Sequence, residues 1–126
     1  MEKIIFDTNF ILTAIKQKID FISDLEGCEL LVPKQVLEEL KKMTTDKKKK
    51  LVERELAGIS LAILNQNKSK FRIIELEKSF VDTGLLRLNP QEKPVIATLD
   101  REIKRLLKGK FKFLTITKRK KLEIVR

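Results

Sequence analysis

The hydrophobic and polar positions divide the chain into two kinds of segment that alternate along it. Short apolar runs indicate buried strands, and longer stretches with apolar residues three and four positions apart indicate amphipathic helices. The predicted strands are KIIF, CELLV, FRIIEL, PVIAT, FKFLTI and a short terminal LEIV. The predicted helices are NFILTAIKQKIDFISDL, KQVLEELKKM opened by Pro33, LVERELAGISLAILNQ, SFVDTGLLRL, and DREIKRLLKG ending at Gly109.

This alternation predicts an α/β fold: a three-layer α/β/α architecture with a central, mostly parallel twisted sheet. Crossovers between parallel strands are right-handed and place helices against both faces of the sheet. We find no repeat, linker or second domain, so residues 1–126 are expected to form a single domain. A chain of this length buries roughly two thirds of its unfolded surface and folds without disulfides.

Four acidic residues fall where such a sheet binds ligands, beyond the carboxyl ends of its strands. Asp7 ends the first strand, and Asp100 follows the fourth strand at the start of a helix. Glu39 lies in the helix after the second strand, and Asp82 begins the segment after the third. The three aspartates could instead be helix N-caps, and Glu39 a solvated neighbour of Glu38.

A cluster of these four carboxylates would need a cation among them, because like charges repel and raise one another's pKa values. Oxygen ligands without histidine or thiolate indicate Mg²⁺ or Mn²⁺. The sequence has no histidine and one cysteine, Cys28, which excludes zinc sites built from those residues and nucleophilic systems that depend on histidine. Cys28 itself is expected to be a small buried hydrophobe.

The net charge of +10 is unevenly distributed. Residues 101–126 carry 11 basic and 2 acidic side chains, a net +9. Such a basic surface indicates a polyanion partner, most simply nucleic acid, although a lysine-rich solvated surface is the alternative. Residues 47–50, all lysine, are a second candidate contact. One helical stripe begins beside Asp100 and is expected to bind the phosphates of that nucleic acid: Arg101, Lys104, Arg105 and Lys108.

No apolar run is long enough to span a membrane, and the first residues do not form a secretion signal. We therefore expect a cytoplasmic protein without a membrane partner.

Four motifs, in this order, resemble the PIN-domain nucleases: FDTNFIL, VPKQVLEEL, FVDTGLL and VIATLDREIKRLL. That family includes VapC-type toxins and the PIN endonucleases that process ribosomal RNA, and the stretch ATLDREIKRLL is closer to the second group. The resemblance spans nearly the whole chain. It implies that the catalytic and metal-binding acids are Asp7, Glu39, Asp82 and Asp100. The residues implied to support them are Thr8, Asn9 and Thr98.

The resemblance also implies an activity: metal-dependent hydrolysis of RNA phosphodiester bonds by an endoribonuclease, using Mg²⁺ or Mn²⁺ and leaving 3′-hydroxyl and 5′-phosphate ends. It implies RNA as a partner, an antitoxin or a pre-ribosomal particle as another, and a homodimer. The alternative is a catalytically silent RNA- or protein-binding module on the same fold. A phosphate-binding regulator of the flavodoxin-like type is disfavoured, because Thr117 precedes Lys118 where that class places a lysine directly.

Overall fold

The computed structural model describes residues 2–76 and 93–125. The strands in these ranges are β1 Lys3–Phe6, β2 Glu29–Pro33, β3 Phe71–Ile74, β4 Val95–Ala97, β5 Lys112–Ile116 and β6 Leu122–Val125. The helices there are α1 Thr8–Lys16, α2 Phe21–Asp24, α3 Lys34–Thr45, α4 Leu51–Gln66 and α5 Arg101–Leu107, with a short 3₁₀ turn at Lys68–Lys70. The predicted helix SFVDTGLLRL lies outside the described residues.

The six strands form one sheet in the order β3-β2-β1-β4-β5-β6. Strands β1 to β5 are parallel, and only β6 pairs antiparallel, with β5. Successive residues of a strand point to opposite faces, and Ile4, Ile5 and Phe6 of β1 are all buried. Both faces of the sheet are therefore covered, which confirms the predicted three-layer α/β/α architecture.

The order in which successive strands join the sheet reverses at β1. The crossover from β1 leads to β2 on one side, whereas β4 lies on the other side of β1 and leads outward to β5. Since right-handed crossovers in opposite directions lie on opposite faces, α1 and α5 leave the two strands on different sides of the sheet. The carboxyl ends of β1 and β4 thus border the crevice in which open α/β sheets bind ligands.

Aromatic packing holds the end of β1 in place. The ring of Phe6 lies 5.8 Å from that of Phe10 in α1 and 5.2 Å from that of Phe21 in α2, both tilted. Tilted aromatic pairs such as these stabilise the fold by more than the burial of their apolar surface alone. The residue that follows Phe6 is consequently anchored by a strand and by two helices.

Two local predictions were wrong. The stretch predicted as one helix from Asn9 to Leu25 forms α1 and α2, which are separated by residues 17–20. Lys18 there has a φ of 60°, and the side chain of Asp20 caps α2 by accepting from the Ser23 N–H. Pro33 was expected at the first helical position, but it ends β2 and is the N-cap residue of α3.

Candidate active site at the carboxyl edge of the sheet

Asp7 is the first residue after β1 and is only 3% exposed. Its backbone N–H donates to the Ala97 carbonyl at 2.9 Å, which extends the β1–β4 pairing by one step. Its Oδ1 accepts from the Thr8 N–H at 2.8 Å. Asp7 therefore does cap α1, but the cap uses one carboxylate oxygen and leaves the other for a different contact.

Thr98 provides that contact. Its buried hydroxyl donates to Asp7 Oδ2 at 2.9 Å and accepts from the Asp100 N–H at 3.1 Å. The register explains the meeting, because Phe6 pairs with Ala97 and the next residues along the two parallel strands are Asp7 and Thr98. One hydroxyl thus connects the first and the fourth of the predicted acids.

Asp100 is half-buried and caps α5. Its Oδ1 accepts from the backbone N–H groups of Glu102 at 2.8 Å and Ile103 at 3.3 Å. No hydrogen bond reaches its Oδ2 from the described part of the chain. The capping role of Asp100 therefore uses Oδ1 and leaves Oδ2 for a ligand.

Thr8 places another oxygen at this edge. Its side chain is 2% exposed, and within residues 2–76 and 93–125 its Oγ1 has no hydrogen-bond partner. A buried hydroxyl without a partner costs free energy unless something satisfies it. Asn9, the next residue of α1, is exposed.

The two remaining acids are less closely defined. Glu39 lies in the second turn of α3 and is exposed, as is its neighbour Glu38. Asp82 lies outside the described residues. Within those residues, no three acidic, histidine or cysteine side chains are grouped closely enough to hold a metal ion. The four-acid site therefore stays a prediction. Of its members, the structure links Asp7 and Asp100 through Thr98.

The residues at this edge nevertheless fit a hard divalent cation. Carboxylate and hydroxyl oxygens are the ligands that Mg²⁺ and Mn²⁺ prefer. The Thr8 hydroxyl follows the buried Asp7 carboxylate directly and has no partner among the described residues, so it is the kind of group that a cation or its bound water would satisfy.

The basic stripe predicted to bind RNA has members in different environments. Lys104 is half-buried, and its Nζ donates to Thr115 Oγ1 at 3.2 Å. Arg105 is exposed and makes a forked pair with Glu102, which raises the pKa of Arg105 and lowers the pKa of Glu102. Arg101 is exposed, and Lys108 lies just beyond the last residue of α5.

Gln35 is a residue that the sequence analysis missed. Its Nε2 donates to the Leu76 carbonyl at 2.9 Å, and its Oε1 accepts from the Leu76 N–H at 3.2 Å. Both residues are buried, so the side chain of Gln35 clamps the backbone where the chain leaves β3 toward Asp82. A signal was present, because Gln35 is an uncharged polar residue in the buried phase of α3, next to Val36.

A groove of about 730 Å³ lies elsewhere, between α1, α2 and α4. Its walls include Ile15, Phe21, Ile59 and Ile63. Asp7, Glu39 and Asp100 do not line it, so this groove is separate from the described part of the candidate active site. Within the described ranges, no helix has both the length and the apolarity needed to cross a bilayer.

Comparisons with known proteins agree with this arrangement. The sequence pattern of a family described as a PIN like domain matches residues 4–121. Among curated proteins, Ribonuclease VapC4 of Methanocaldococcus jannaschii is 24% identical over 131 residues, covering 98% of this chain and 97% of that protein.

Two solved structures share the fold. The PIN domain endonuclease Utp24 has a TM-score of 0.75 and 22% identity, covering 97% of this chain and 90% of that one. VapBC2 of Rickettsia felis, bound to a DNA fragment from its promoter, has a TM-score of 0.56 and 17% identity, covering 90% of this chain and 98% of that one. The family match extends over nearly the whole sequence and confirms the resemblance carried by the four motifs. The chain therefore belongs to the PIN-like domain family and is similar to PIN-domain nucleases.

Proposed function

We propose that this protein is a metal-dependent endoribonuclease that hydrolyses RNA phosphodiester bonds. The proposal rests on the hydrogen bonds that link Asp7, Thr98 and Asp100 at the carboxyl ends of β1 and β4, where the strand order reverses. Two acids from separate strands are held there by one buried hydroxyl. A binding module without catalysis has no need for this buried and oriented carboxylate.

The residues that would hold Mg²⁺ or Mn²⁺ are Asp7, Glu39, Asp82 and Asp100. When bound, the metal supplies an activated water and stabilises the charge that develops on the phosphate oxygens. Asp7 contributes a rigid oxygen, because the Thr8 N–H and the Thr98 hydroxyl fix both sides of its carboxylate. Asp100 contributes an oxygen whose direction is set by the cap of α5.

The charge distribution supports RNA as the substrate. The chain carries 28 basic and 18 acidic residues, and the excess is concentrated in the segment that begins beside Asp100. The lysines of residues 47–50 form a second basic surface between α3 and α4, where the Asp46 side chain accepts from the Lys48 N–H at 2.9 Å. Lys and Arg side chains bind the phosphate backbone without regard to sequence.

We propose two alternative cellular roles, those of the two branches of the family that the four motifs resemble: the toxin of a toxin–antitoxin pair, and a nuclease of ribosomal-RNA processing. The first supplies an antitoxin as partner and the second a pre-ribosomal particle; in either role we propose a homodimer in the cytoplasm. A toxin should stop cell growth when it is expressed alone, and the product of a neighbouring gene should restore growth. A processing enzyme should leave uncleaved ribosomal precursors when it is depleted.

The direct test is cleavage of an end-labelled single-stranded RNA by the purified protein with Mn²⁺ and with EDTA. We expect cleavage only with the metal, with 3′-hydroxyl and 5′-phosphate ends. Asp7→Asn and Asp100→Asn should each reduce the rate by at least about 100-fold, since loss even of a partner that only orients a metal ligand costs about 10–100-fold. Glu38→Gln, an exposed change one residue from Glu39, is the matched control and should cleave normally. RNA binding without any metal-dependent cleavage would favour the silent module instead.

A further inference from the structure

A row of three polar residues crosses the carboxyl edge of the sheet. Phe6, Ala97 and Leu114 are paired in register on β1, β4 and β5, and the residues that follow them are Asp7, Thr98 and Thr115. Adjacent strands lie about 4.8 Å apart, so Thr115 stands roughly 10 Å from Asp7 along the same edge. The proposed function uses the first two residues of this row and leaves Thr115 without a role.

Thr115 holds the ammonium group of Lys104 at 3.2 Å. Lys104 lies one turn after Asp100 on α5, and helical side chains lean toward the N-terminus of their helix. The ammonium group of Lys104 therefore lies toward the Asp100 end of α5. A neutral hydroxyl positions this ammonium but does not neutralise it.

A second cation lies close to the first. Partial burial lowers the pKa of Lys104, and the nearby charge of Arg101 lowers it further. No acidic side chain forms an ion pair with Lys104 or Arg101 within residues 2–76 and 93–125. Two neighbouring cations repel each other, and an anion between them relieves that cost.

The next basic residue of the stripe is different. Arg105 is satisfied by two hydrogen bonds to Glu102, at 3.2 and 2.5 Å, so its charge is already paired. Lys104 and Arg105 belong to the same basic stripe in the sequence but lie in different environments in the structure. Lys104 is held by Thr115 and has no acidic partner among the described residues, whereas Arg105 is paired with Glu102.

We propose that Arg101, Lys104 and Thr115 form a subsite for one phosphodiester group of a single RNA strand, next to the phosphate that is cleaved beside Asp7 and Asp100. Lys104 binds the phosphate as a point charge and Arg101 with its planar fork. Thr115 is a positioning residue, because it orders the long Lys104 side chain before RNA arrives and so reduces the entropy lost on binding. This subsite rests on the proposed ribonuclease function.

The test measures binding of a fluorescent single-stranded RNA oligonucleotide in EDTA, by anisotropy over a range of salt concentrations. Lys104→Gln should weaken binding about tenfold and reduce the slope of log K against log salt by about 0.7, the value for one lost contact to a single strand. Thr115→Val should weaken binding less and keep the slope, because the charge remains. Lys110→Gln removes the same charge from an exposed turn at the other end of β5, and should leave both quantities unchanged.

Two results would overturn the subsite. One is a Lys104→Gln variant that binds RNA as the wild type does, with an unaltered salt slope. The other is an Arg105→Gln variant that loses as much affinity and slope as Lys104→Gln, which would indicate a diffuse basic face. Melting curves verify folding, and Lys104→Gln should melt no lower than the wild type, since it removes a partly desolvated charge. Because binding is measured without metal, the subsite and the nuclease activity can fail separately. If binding depends on Lys104 but the protein does not cleave RNA in Mn²⁺, only the nuclease activity is rejected. If the protein cleaves RNA and Lys104→Gln leaves the cleavage rate unchanged, only the subsite is rejected.

Discussion

The hydroxyl of Thr98 donates to Asp7 Oδ2 across 2.9 Å, although the two residues are 91 positions apart in the sequence. The same hydroxyl accepts from the Asp100 N–H at 3.1 Å. One threonine therefore fixes the orientation of a buried carboxylate on β1 relative to the loop that leaves β4. In this account, Thr98 orders the candidate active site without contacting the RNA.

Replacing Thr98 with valine keeps the shape of the side chain and removes both hydrogen bonds. We expect the free energy of unfolding to fall by about 2–4 kcal/mol, because the hydrogen bond to the Asp7 carboxylate contributes about 1.5–3 kcal/mol and the one from the neutral Asp100 N–H about 0.5–1.5 kcal/mol. RNA cleavage should fall by about 10–100-fold, the usual effect of removing a partner that orients a metal ligand. Urea denaturation and a cleavage time course measure the two effects.

Thr98→Ser is the matched control, since it keeps the hydroxyl and loses one buried methyl group worth about 1 kcal/mol. It should retain cleavage close to the wild-type rate despite its lower stability. Equal rates for the valine and wild-type proteins would show that Thr98 has no part in ordering the acids.

Gln35→Leu tests the clamp on Leu76. The change leaves the buried N–H and C=O of Leu76 without the Gln35 contacts, and each unsatisfied group costs about 1–3 kcal/mol. We expect a loss of roughly 2–4 kcal/mol in urea denaturation and faster hydrogen exchange at the Leu76 amide. Gln66→Leu, an exposed change at the end of α4, should alter neither quantity. A Gln35→Leu protein as stable as the wild type would mean that the clamp contributes nothing.

Divalent metal should stabilise the folded protein. A ligand at 100 times its dissociation constant stabilises by about 2.7 kcal/mol if it binds only the folded state, which raises the melting temperature by roughly 8–12 °C for a chain of this size. We expect that shift between EDTA and saturating Mn²⁺, and little of it in Asp7→Asn. Identical midpoints with and without metal would argue for a binding module that lacks a metal site.

Much of the fold was predictable because both faces of the sheet are covered. The central strands are continuous apolar runs, as in IIF and PVIA, and each is bounded by polar residues. The same pattern located Asp7 and Asp100, since the ends of parallel strands meet at one edge of the sheet. The resemblance named Thr98 as a supporting residue, but only the register of β1 and β4 showed that it lies between Asp7 and Asp100. The contact of Lys104 with Thr115 depends on how α5 lies beside β5, which a hydrophobic pattern does not report.

The break between α1 and α2 was not predictable from periodicity. Apolar residues recur at helical spacing through Ile15, Ile19 and Ile22, so the pattern runs on across the break. The chain leaves the helix because Lys18 adopts a positive φ and Asp20 caps a new turn, a local competition that a hydrophobic pattern does not report.

The most direct measurement is anomalous diffraction at the manganese edge from crystals grown with Mn²⁺. We predict a peak about 2.1 Å from a carboxylate oxygen of Asp7 and from one of Asp100, the distance expected for a small hard cation. The peak should be absent from Asp7→Asn crystals grown in the same way. A structure with no manganese at these two residues, or with manganese bound only elsewhere while both helix caps stay intact, would contradict the assignment of this edge as a metal-dependent nuclease site.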